Sequence, residues 1–381
     1  MGINVLSLFD GMSCGQQALE RAGIEVDNYF ASEIDKYAMQ VTMANYPNTK
    51  QLGSVVNVNG YDLPKIDLLI GGSPCQSFSF AGKRKGMATK CETEILTLNH
   101  YLELKADGYE FEGQSYLFWE FMRLLNECNP KYFLLENVEM GDKWEKVLSK
   151  AIGVNGIHIN SALVSAQNRK RIYWTNIGME PGGLFGDLVS IIDKPKDKGI
   201  LLKDVLESKV DNKYFLKDTS FIFDRIKTNH QFTPNIPNLN EKSNCLKIGG
   251  KGVDDLVKID RQGNLKNNQD KASSLSVGGH GHGNHSDMDL IVHNMMPRSG
   301  DPKKGGTGHL SRADGKTYCL DTGNTNAVEI KSNIRRLTPL ECERLQTVKD
   351  NYTNHVSDSQ RYKMLGNGWT VDVIAHIFKY L

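Results

Sequence analysis

The segment Gly71-Gly72-Ser73-Pro74-Cys75-Gln76 has the residue types of a site that presents a reactive thiol. It follows an apolar run at residues 66–70, which predicts a buried strand, and the glycines and proline predict a tight turn after it. Such a turn would place Cys75 at the carboxyl end of a parallel strand, where open α/β sheets bind their ligands. The alternative is a buried, inert cysteine, but a core position needs neither two glycines nor a proline. We therefore interpret Cys75 as a nucleophile.

Polar residues also stand beside two later strand patterns. Glu136 follows a strand predicted at residues 131–135, although a glutamate in this position more often begins a helix. Arg169 and Arg171 precede a strand predicted at residues 172–174, and alternation along an extended chain puts both guanidinium groups on one face. These three residues are candidates for the same site as Cys75.

The amino-terminal pattern indicates how a ligand would be held. A strand at residues 4–9, a turn at Asp10-Gly11 and a helix ending at Gly23 form the opening of a nucleotide-binding type of α/β unit. The turn lacks the spacing G-x-G-x-x-G, which favours a ligand without a phosphate at that point. Glu33 follows the second strand, about 20 residues after the turn, where a carboxylate can bind both ribose hydroxyls. The alternative is that Glu33 caps the helix that starts at Asp35.

Composition excludes several classes of protein. The 381 residues suffice for one large domain or two ordinary ones, and a net charge of +1 requires any nucleic-acid surface to be local. Seven cysteines without C-x-x-C spacing disfavour a disulfide framework and fit a reducing cytoplasm. No signal peptide or membrane-spanning run is predicted. The histidines at 280, 282 and 285 match no zinc pattern, so we expect no metal site.

Composition changes along the chain near Pro181. Residues 181–333 are rich in Gly, Asn, Asp and Lys, which predicts a second, irregular domain of short strands and loops. Helical order returns afterwards, with Thr338 as N-cap, Pro339 at the first helical position and Glu341 completing a capping box. A terminal helix is predicted at residues 371–378.

The ordered motifs resemble those of the DNA (cytosine-5) methyltransferases of phages and bacteria. The motifs are Leu8-Phe9-Asp10-Gly11, Ser32-Glu33, Gly71 to Gln76, Glu136-Asn137-Val138, Gln167-x-Arg169-x-Arg171, Arg335-x-Leu337-Thr338-Pro339 and Gly366-Asn367. The resemblance implies an α/β fold: a Rossmann-like S-adenosylmethionine-dependent methyltransferase sheet with a smaller, irregular target recognition domain. It divides the chain into a catalytic domain at 1–180, a target recognition domain at 181–333 and a carboxyl-terminal return to the catalytic domain at 334–381.

The resemblance also implies the catalytic roles. Cys75 would add as a thiolate to C6 of a flipped-out cytosine, so that C5 can accept a methyl group from S-adenosylmethionine, leaving S-adenosylhomocysteine. Glu136 would bind N3 and the 4-amino group of the base. Arg169 and Arg171 would hold the O2 edge and phosphate, for which a planar guanidinium is suited.

The resemblance also implies cofactor contacts at the positions of this chain that match the family's motifs. They are Phe9, Asp10, Gly11, Met12, Glu33, Ile34, Ser54, Val55, Leu117, Asn367, Gly368 and Trp369. Ser54 departs from the family pattern, which has an aspartate that binds the adenine amino group. A hydroxyl accepts this hydrogen bond more weakly than a carboxylate, so we expect somewhat weaker cofactor binding.

The expected partner is double-stranded DNA, with a cognate restriction endonuclease if the enzyme serves restriction-modification. The basic triplet Lys83-Arg84-Lys85 is the candidate for a flap that closes over the flipped base. We expect a cytoplasmic monomer that does not bind membranes. Three alternatives remain: a tRNA cytosine-5 methyltransferase, a catalytically silent DNA-binding relative, and a small-molecule methyltransferase, which the large second domain disfavours.

Overall fold

A computed structural model describes residues 2–74, 87–91, 93–182, 187–215, 291–294, 310–312, 316–317, 319, 326–330 and 333–381. The nucleophile candidate Cys75, the basic triplet at 83–85 and the histidines at 280, 282 and 285 lie outside these ranges. Within them, no helix combines the length and the apolar character needed to cross a membrane.

The described residues form a seven-stranded mixed sheet with the order β3-β2-β1-β4-β5-β7-β6. The pairings among the first five strands in this order are parallel, whereas β7 runs antiparallel to both β5 and β6. The strands are β1 (Ile3–Leu8), β2 (Val26–Ser32), β3 (Lys50–Gln51), β4 (Leu68–Gly72), β5 (Tyr132–Val138), β6 (Ile157–Asn160) and β7 (Lys170–Thr175). This arrangement confirms the predicted α/β class.

Helices cover both faces of the sheet. They are α1 (Cys14–Ala22), α2 (Lys36–Asn45), α3 (Leu98–Ala106), α4 (Phe118–Cys128), α5 (Asp142–Ile152), α6 (Pro339–Leu345), α7 (Asp358–Asn367) and α8 (Val371–Phe378). Successive strand residues such as Val5 and Leu6 enter different hydrophobic clusters because side chains alternate across a sheet. The first cluster includes residues of α1 and α8, and the second includes Trp119 of α4.

Several helix ends have the structures that the sequence predicts. Gly23 ends α1 with φ 73°, a conformation that suits glycine. The Thr338 hydroxyl accepts from the Glu341 N–H, and the Glu341 carboxylate accepts in return from the Thr338 N–H. This confirms the predicted capping box, and α8 has the predicted bounds.

Other predicted bounds were wrong. Strand β4 continues through Gly71 and Gly72, which pair with Leu135 and Glu136, so the two glycines do not end the strand. The sequence pattern also predicts a strand at residues 157–164, but in the structure this strand ends at Asn160, before a short helical turn. The sequence also left α3 unpredicted because that region has no clear apolar periodicity.

Shorter strands lie in and around residues 181–333. Strands β8 (Met179–Gly182) and β9 (Asp187–Ser190) pair in an antiparallel hairpin. A four-stranded antiparallel sheet has the order β11-β10-β12-β13, built from β10 (Ile291–Asn294), β11 (Leu310–Arg312), β12 (Asn326–Ile330) and β13 (Asn333–Arg336). The division into domains stays a prediction.

Candidate active site

The carboxyl ends of β1, β4 and β5 lie side by side. Leu8, the last residue of β1, is paired with Gly71 of β4, and Gly72 is paired with Glu136 of β5. Parallel pairing therefore brings the segment before Cys75 to the same edge as Glu136 and the turn after β1.

The carboxylate of Glu136 is held from two sides. Its Oε1 lies 2.9 Å from Arg171 Nε in a salt bridge, and its Oε2 accepts a hydrogen bond from Trp369 Nε1 at 3.2 Å. Glu136 is 8% exposed, so the ion pair is largely shielded from water. The two donors fix the carboxylate in one orientation while leaving lone pairs free to accept further hydrogen bonds.

Gly72 has a packing function that differs from the predicted turn. A Cβ at this position would lie 2.8 Å from Trp369 Nε1 and 3.1 Å from Glu136 Oε2. Gly71 faces another part of the molecule, where a Cβ would lie 3.1 Å from both the Leu8 carbonyl oxygen and the Phe121 ring. The glycine pair permits close approach on both sides of β4.

Asn137 fixes the chain that leads to Cys75. Its Nδ2 donates to the Ser73 carbonyl at 3.2 Å and to the Ser73 hydroxyl at 3.0 Å. Asn137 is 1% exposed and follows Glu136 on β5, so one strand supports both the carboxylate and the start of the Pro74-Cys75 segment.

Arg169 and Arg171 lie on one face, as their alternation predicts. Arg169 Nη1 donates to Cys319 Sγ at 2.9 Å, and Arg171 Nη2 donates to the same sulfur at 3.6 Å. Arg169 Nη2 also donates to the Gly368 carbonyl at 3.0 Å. Burial by itself would lower the pKa of Arg171, but the neighbouring Cys319 and Glu136 raise it on balance.

The turn after β1 is linked to the residue that follows β2. Glu33 Oε2 accepts a hydrogen bond from the Gly11 N–H at 2.7 Å, while Oε1 accepts from the N–H groups of Ile34 at 2.7 Å and Asp35 at 2.8 Å. The Asp35 side chain, rather than that of Glu33, is the N-cap of α2. The interpretation of Glu33 as the cap of this helix is therefore wrong, and the binding of ribose hydroxyls by Glu33 stays a prediction.

Asp10 carries an acidic group in the same turn. Its Oδ1 accepts from the Tyr29 hydroxyl at 2.8 Å, and its Oδ2 is buried without a hydrogen-bond partner among the described residues. Burial raises the pKa of Asp10 to about 6, although hydrogen bonds with nearby hydroxyl groups lower it. A cationic ligand group at Oδ2 would satisfy this oxygen.

The remaining predicted cofactor residues border these groups. Ile34, two residues after β2, is 72% exposed, so that a planar ligand could cover its side chain. Ser54 precedes a short helical turn at Val55–Asn57, and Arg123 fixes this turn by donating to the Val55 carbonyl at 3.1 Å. The others are Phe9 and Met12 in the first turn, Leu117 before α4, Asn367 at the end of α7 and Gly368 after it.

These residues fit the cofactor that the resemblance implies. S-adenosylmethionine carries positive charge on its sulfur and its amino group, and the Asp10 and Glu33 carboxylates offer negative charge after the neighbouring strands β1 and β2. The unpartnered Asp10 oxygen is the observation that favours a cationic ligand. Among the described residues, no cluster of three or more His, Cys, Asp or Glu is arranged for a metal ion.

Sequence reasoning assigned no role to Tyr29, Asn137 or Cys319. Tyr29 holds Asp10 and Asn137 holds Ser73, but neither contact follows from spacing along the chain. The one sequence feature that could have identified Asn137 is its place directly after Glu136, with which it forms a polar pair. Cys319 is distant in sequence from the arginines that it contacts, so no local pattern could identify it.

Comparison with known proteins gives consistent results. The family model for C-5 cytosine-specific DNA methylases matches residues 3–103 and 105–381. The chain is 28% identical over 451 residues to the orphan methyltransferase M.SPRI of Bacillus phage SPR, covering 100% of this chain and 97% of that protein. It is 26% identical over 445 residues to the type II methyltransferase M.BanI of Aneurinibacillus aneurinilyticus, covering 100% and 96%.

A solved structure supports the fold. The Dnmt2 methyltransferase of S. pombe matches with a TM-score of 0.52 at 15% identity, covering 98% of this chain and 96% of that chain. At this identity the likeness concerns the fold alone.

Proposed function

This chain belongs to the C-5 cytosine-specific DNA methylase family, and from that premise we propose that it methylates C5 of a cytosine in duplex DNA with S-adenosylmethionine. The observation that carries the proposal is the Glu136 carboxylate, fixed between Arg171 Nε and Trp369 Nε1 beside the strand that leads to Cys75. Such a carboxylate can accept a hydrogen bond from the 4-amino group of a flipped cytosine, and can accept one from N3 when that nitrogen carries a proton.

The chemistry requires a nucleophile because C5 of cytosine is weakly nucleophilic. In our proposal the Cys75 thiolate adds to C6, and the electron pair becomes available at C5. Glu136 compensates charge at N3 during this addition, while Arg171 and Arg169 bind the O2 edge and a neighbouring phosphate. Once C5 carries the methyl group, its proton passes to solvent, and the released electron pair expels the Cys75 thiolate from C6 and restores the aromatic ring.

S-adenosylmethionine, when bound, supplies an electrophilic methyl group on a sulfonium. Glu33 would accept hydrogen bonds from the ribose hydroxyls, Asp10 would offer its unpartnered Oδ2 to a cationic group, and Ile34 would cover the adenine. The supporting observation is that these residues follow neighbouring parallel strands, β1 and β2.

Ser54 gives this part of the proposal its own test. If Ser54 accepts a hydrogen bond from the adenine amino group, Ser54→Asp should tighten cofactor binding, because a carboxylate is the stronger acceptor. Isothermal titration calorimetry measures the change. Unchanged or weaker binding would show that Ser54 does not face the adenine.

We assign target recognition to residues 181–333, with double-stranded DNA as the partner. The related M.SPRI is named an orphan enzyme and M.BanI a type II enzyme, so a cognate endonuclease belongs to the proposal only in the second setting. An endonuclease that cuts the same sequence, and that co-purifies with this protein or is encoded next to it, would identify the type II setting.

The test of function is methyl transfer from labelled S-adenosylmethionine to unmethylated duplex DNA, with product positions mapped by bisulfite sequencing. Wild type should label DNA, and Cys75→Ser should abolish labelling because a serine hydroxyl is a much weaker nucleophile at neutral pH. Cys91→Ser is the matched control, since Cys91 is exposed and assigned no role.

The alternatives are separate outcomes of this assay. Transfer to tRNA but not to duplex DNA would refute the DNA substrate and favour a tRNA methyltransferase. Duplex binding without transfer to either substrate would refute catalysis and favour a silent DNA-binding relative.

A further inference from the structure

A cysteine with no part in the proposed mechanism lies between the two arginines of the site. Cys319 Sγ accepts a hydrogen bond from Arg169 Nη1 at 2.9 Å and is contacted by Arg171 Nη2 at 3.6 Å. Arg171 in turn contacts Glu136 through Nε at 2.9 Å. A continuous polar chain therefore joins the sulfur, the guanidinium groups and the carboxylate.

The segment that carries this sulfur is fixed against the strand region of the arginines. Thr317 donates its N–H to the Ala166 carbonyl at 2.8 Å, and the Asn168 N–H donates to the Thr317 carbonyl at 2.9 Å. Thr317 is fully buried, and the Lys316 ammonium donates to the Ala162 carbonyl at 3.3 Å. Thr317, two residues before Cys319, is thus held in place, and the sulfur itself is held by its contacts with Arg169 and Arg171.

The electrostatic setting of Cys319, which is partly buried, differs from that of the buried Cys14. Burial raises the pKa of the Cys14 thiol to about 12. Burial would also raise the pKa of Cys319, but the charges and hydrogen bonds of Arg169 and Arg171 lower it on balance. A sulfur with thiolate character is a strong acceptor for guanidinium N–H groups.

We propose that Cys319 is a positioning residue for the methyl-transfer reaction, holding Arg169 and Arg171 side by side so that Arg171 stays aligned with Glu136. Cys319 lies within the segment that we assign to target recognition. Docking of that segment and alignment of the base-binding arginines are therefore coupled through one sulfur. The catalytic consequence of this inference rests on the proposed function, whereas the contact itself can be tested separately.

The kinetic test compares Cys319→Ala and Cys319→Ser with wild type. Cys319→Ala removes the acceptor and should lower kcat about tenfold, the effect of losing one charge-assisted hydrogen bond, with the KM for S-adenosylmethionine unchanged. Cys319→Ser keeps an acceptor and should recover most of the lost kcat. Cys91→Ala controls for removal of a thiol elsewhere, because Cys91 is exposed.

Two kinetic results would overturn the proposal. One is a wild-type kcat in Cys319→Ala. The other is an equal loss in the alanine and serine variants, which would show that the acceptor is not what matters.

A double-mutant cycle measures the contact between Cys319 and Arg171 independently of methyl transfer. Melting temperatures are measured for wild type, Cys319→Ala, Arg171→Gln and the double variant. We expect the double variant to lose less than the sum of the single losses by about 2 °C or more, since the first substitution already removes the shared contact. Strictly additive losses would refute the positioning role. If the losses of the variants are non-additive but the wild-type protein transfers no methyl group, the proposed function is refuted and the contact between Cys319 and Arg171 stands.

Discussion

Replacing Gly72 by alanine tests whether close packing around Glu136 sets the rate of reaction. The new Cβ would lie 2.8 Å from Trp369 Nε1 and 3.1 Å from Glu136 Oε2, whereas ordinary van der Waals contact begins at 3.4 Å. Both neighbours must therefore move, and the 3.2 Å hydrogen bond between them is lost or lengthened. The perturbation acts at the carboxylate that we assign to base binding.

The expected magnitude follows from that hydrogen bond. A hydrogen bond to a charged group contributes about 1.5–3 kcal/mol, which corresponds to roughly a 10- to 150-fold loss in kcat if the orientation of Glu136 matters only in the transition state. Overpacking adds about 1–3 kcal/mol of destabilisation. The variant should therefore remain folded at 25 °C but turn over slowly.

The assay is single-turnover methyl transfer to duplex DNA, with thermal unfolding measured in parallel. Gly71→Ala is the matched control, because its Cβ would press on Leu8 and Phe121 and should lower stability with little effect on the rate per folded molecule. Gly141→Ala introduces a Cβ with nothing within 4 Å and should leave the rate unchanged. A wild-type rate in Gly72→Ala would refute the reasoning, since the carboxylate would then tolerate displacement.

Three further predictions concern single groups. Trp369→Phe removes the N–H donor to Glu136 but keeps an aromatic ring, so kcat should fall about tenfold with cofactor affinity retained, as steady-state kinetics can measure. The pKa of Asp10 is about 6 in the folded protein against an ordinary 3.8, so the folded state binds the proton more tightly. The free energy of unfolding should therefore fall as pH rises from about 4 to about 6, and urea unfolding of Asp10→Asn should lack this loss. Arg361→Met removes the guanidinium 3.0 Å from the fully buried Glu343 and should lower the free energy of unfolding by about 3–5 kcal/mol in urea titrations.

Each of these has a control or a contrary result. Trp369→Phe with a normal kcat but weak cofactor binding would support a cofactor contact instead of a role at Glu136. Equal pH dependence in wild type and Asp10→Asn would exclude Asp10 as the source of that dependence. Lys349→Met breaks an exposed ion pair with Glu20, in which both side chains are 53% exposed, and should cost less than about 1 kcal/mol.

Much of the fold could be predicted from the sequence because the signals are local. The strand predicted at residues 4–9 corresponds to β1, the second predicted strand corresponds to β2, and the Thr338 capping box fixes the start of α6. Glu136 was predicted from its place after an apolar run, and the shared face of Arg169 and Arg171 from the alternation of side chains along an extended chain. The predicted strand bounds were too short, because β5 includes Glu136 and β7 includes Arg171. Helix α3 was not predicted because its apolar residues show no clear helical periodicity, so its sequence resembles that of a polar loop.

The packing role of Gly71 and Gly72 could not be predicted from the residues next to them in the chain. Glycine before proline and cysteine indicates a turn in an isolated segment. The structure instead keeps both glycines in β4, because Phe121 of α4 and Trp369, almost 300 residues away in sequence, approach the strand too closely for a Cβ.

The sequence by itself determined the family, the α/β class and the residue types that carry the chemistry, since these depend on short motifs and on strand and helix periodicity. Only the tertiary structure decided which atoms meet: Trp369 with Glu136, Asn137 with Ser73 and Cys319 with the two arginines. The physical reason is that hydrogen bonds between residues distant in the chain depend on sheet register and docking of segments, to a precision of tenths of an ångström, and neither spacing nor composition encodes that distance.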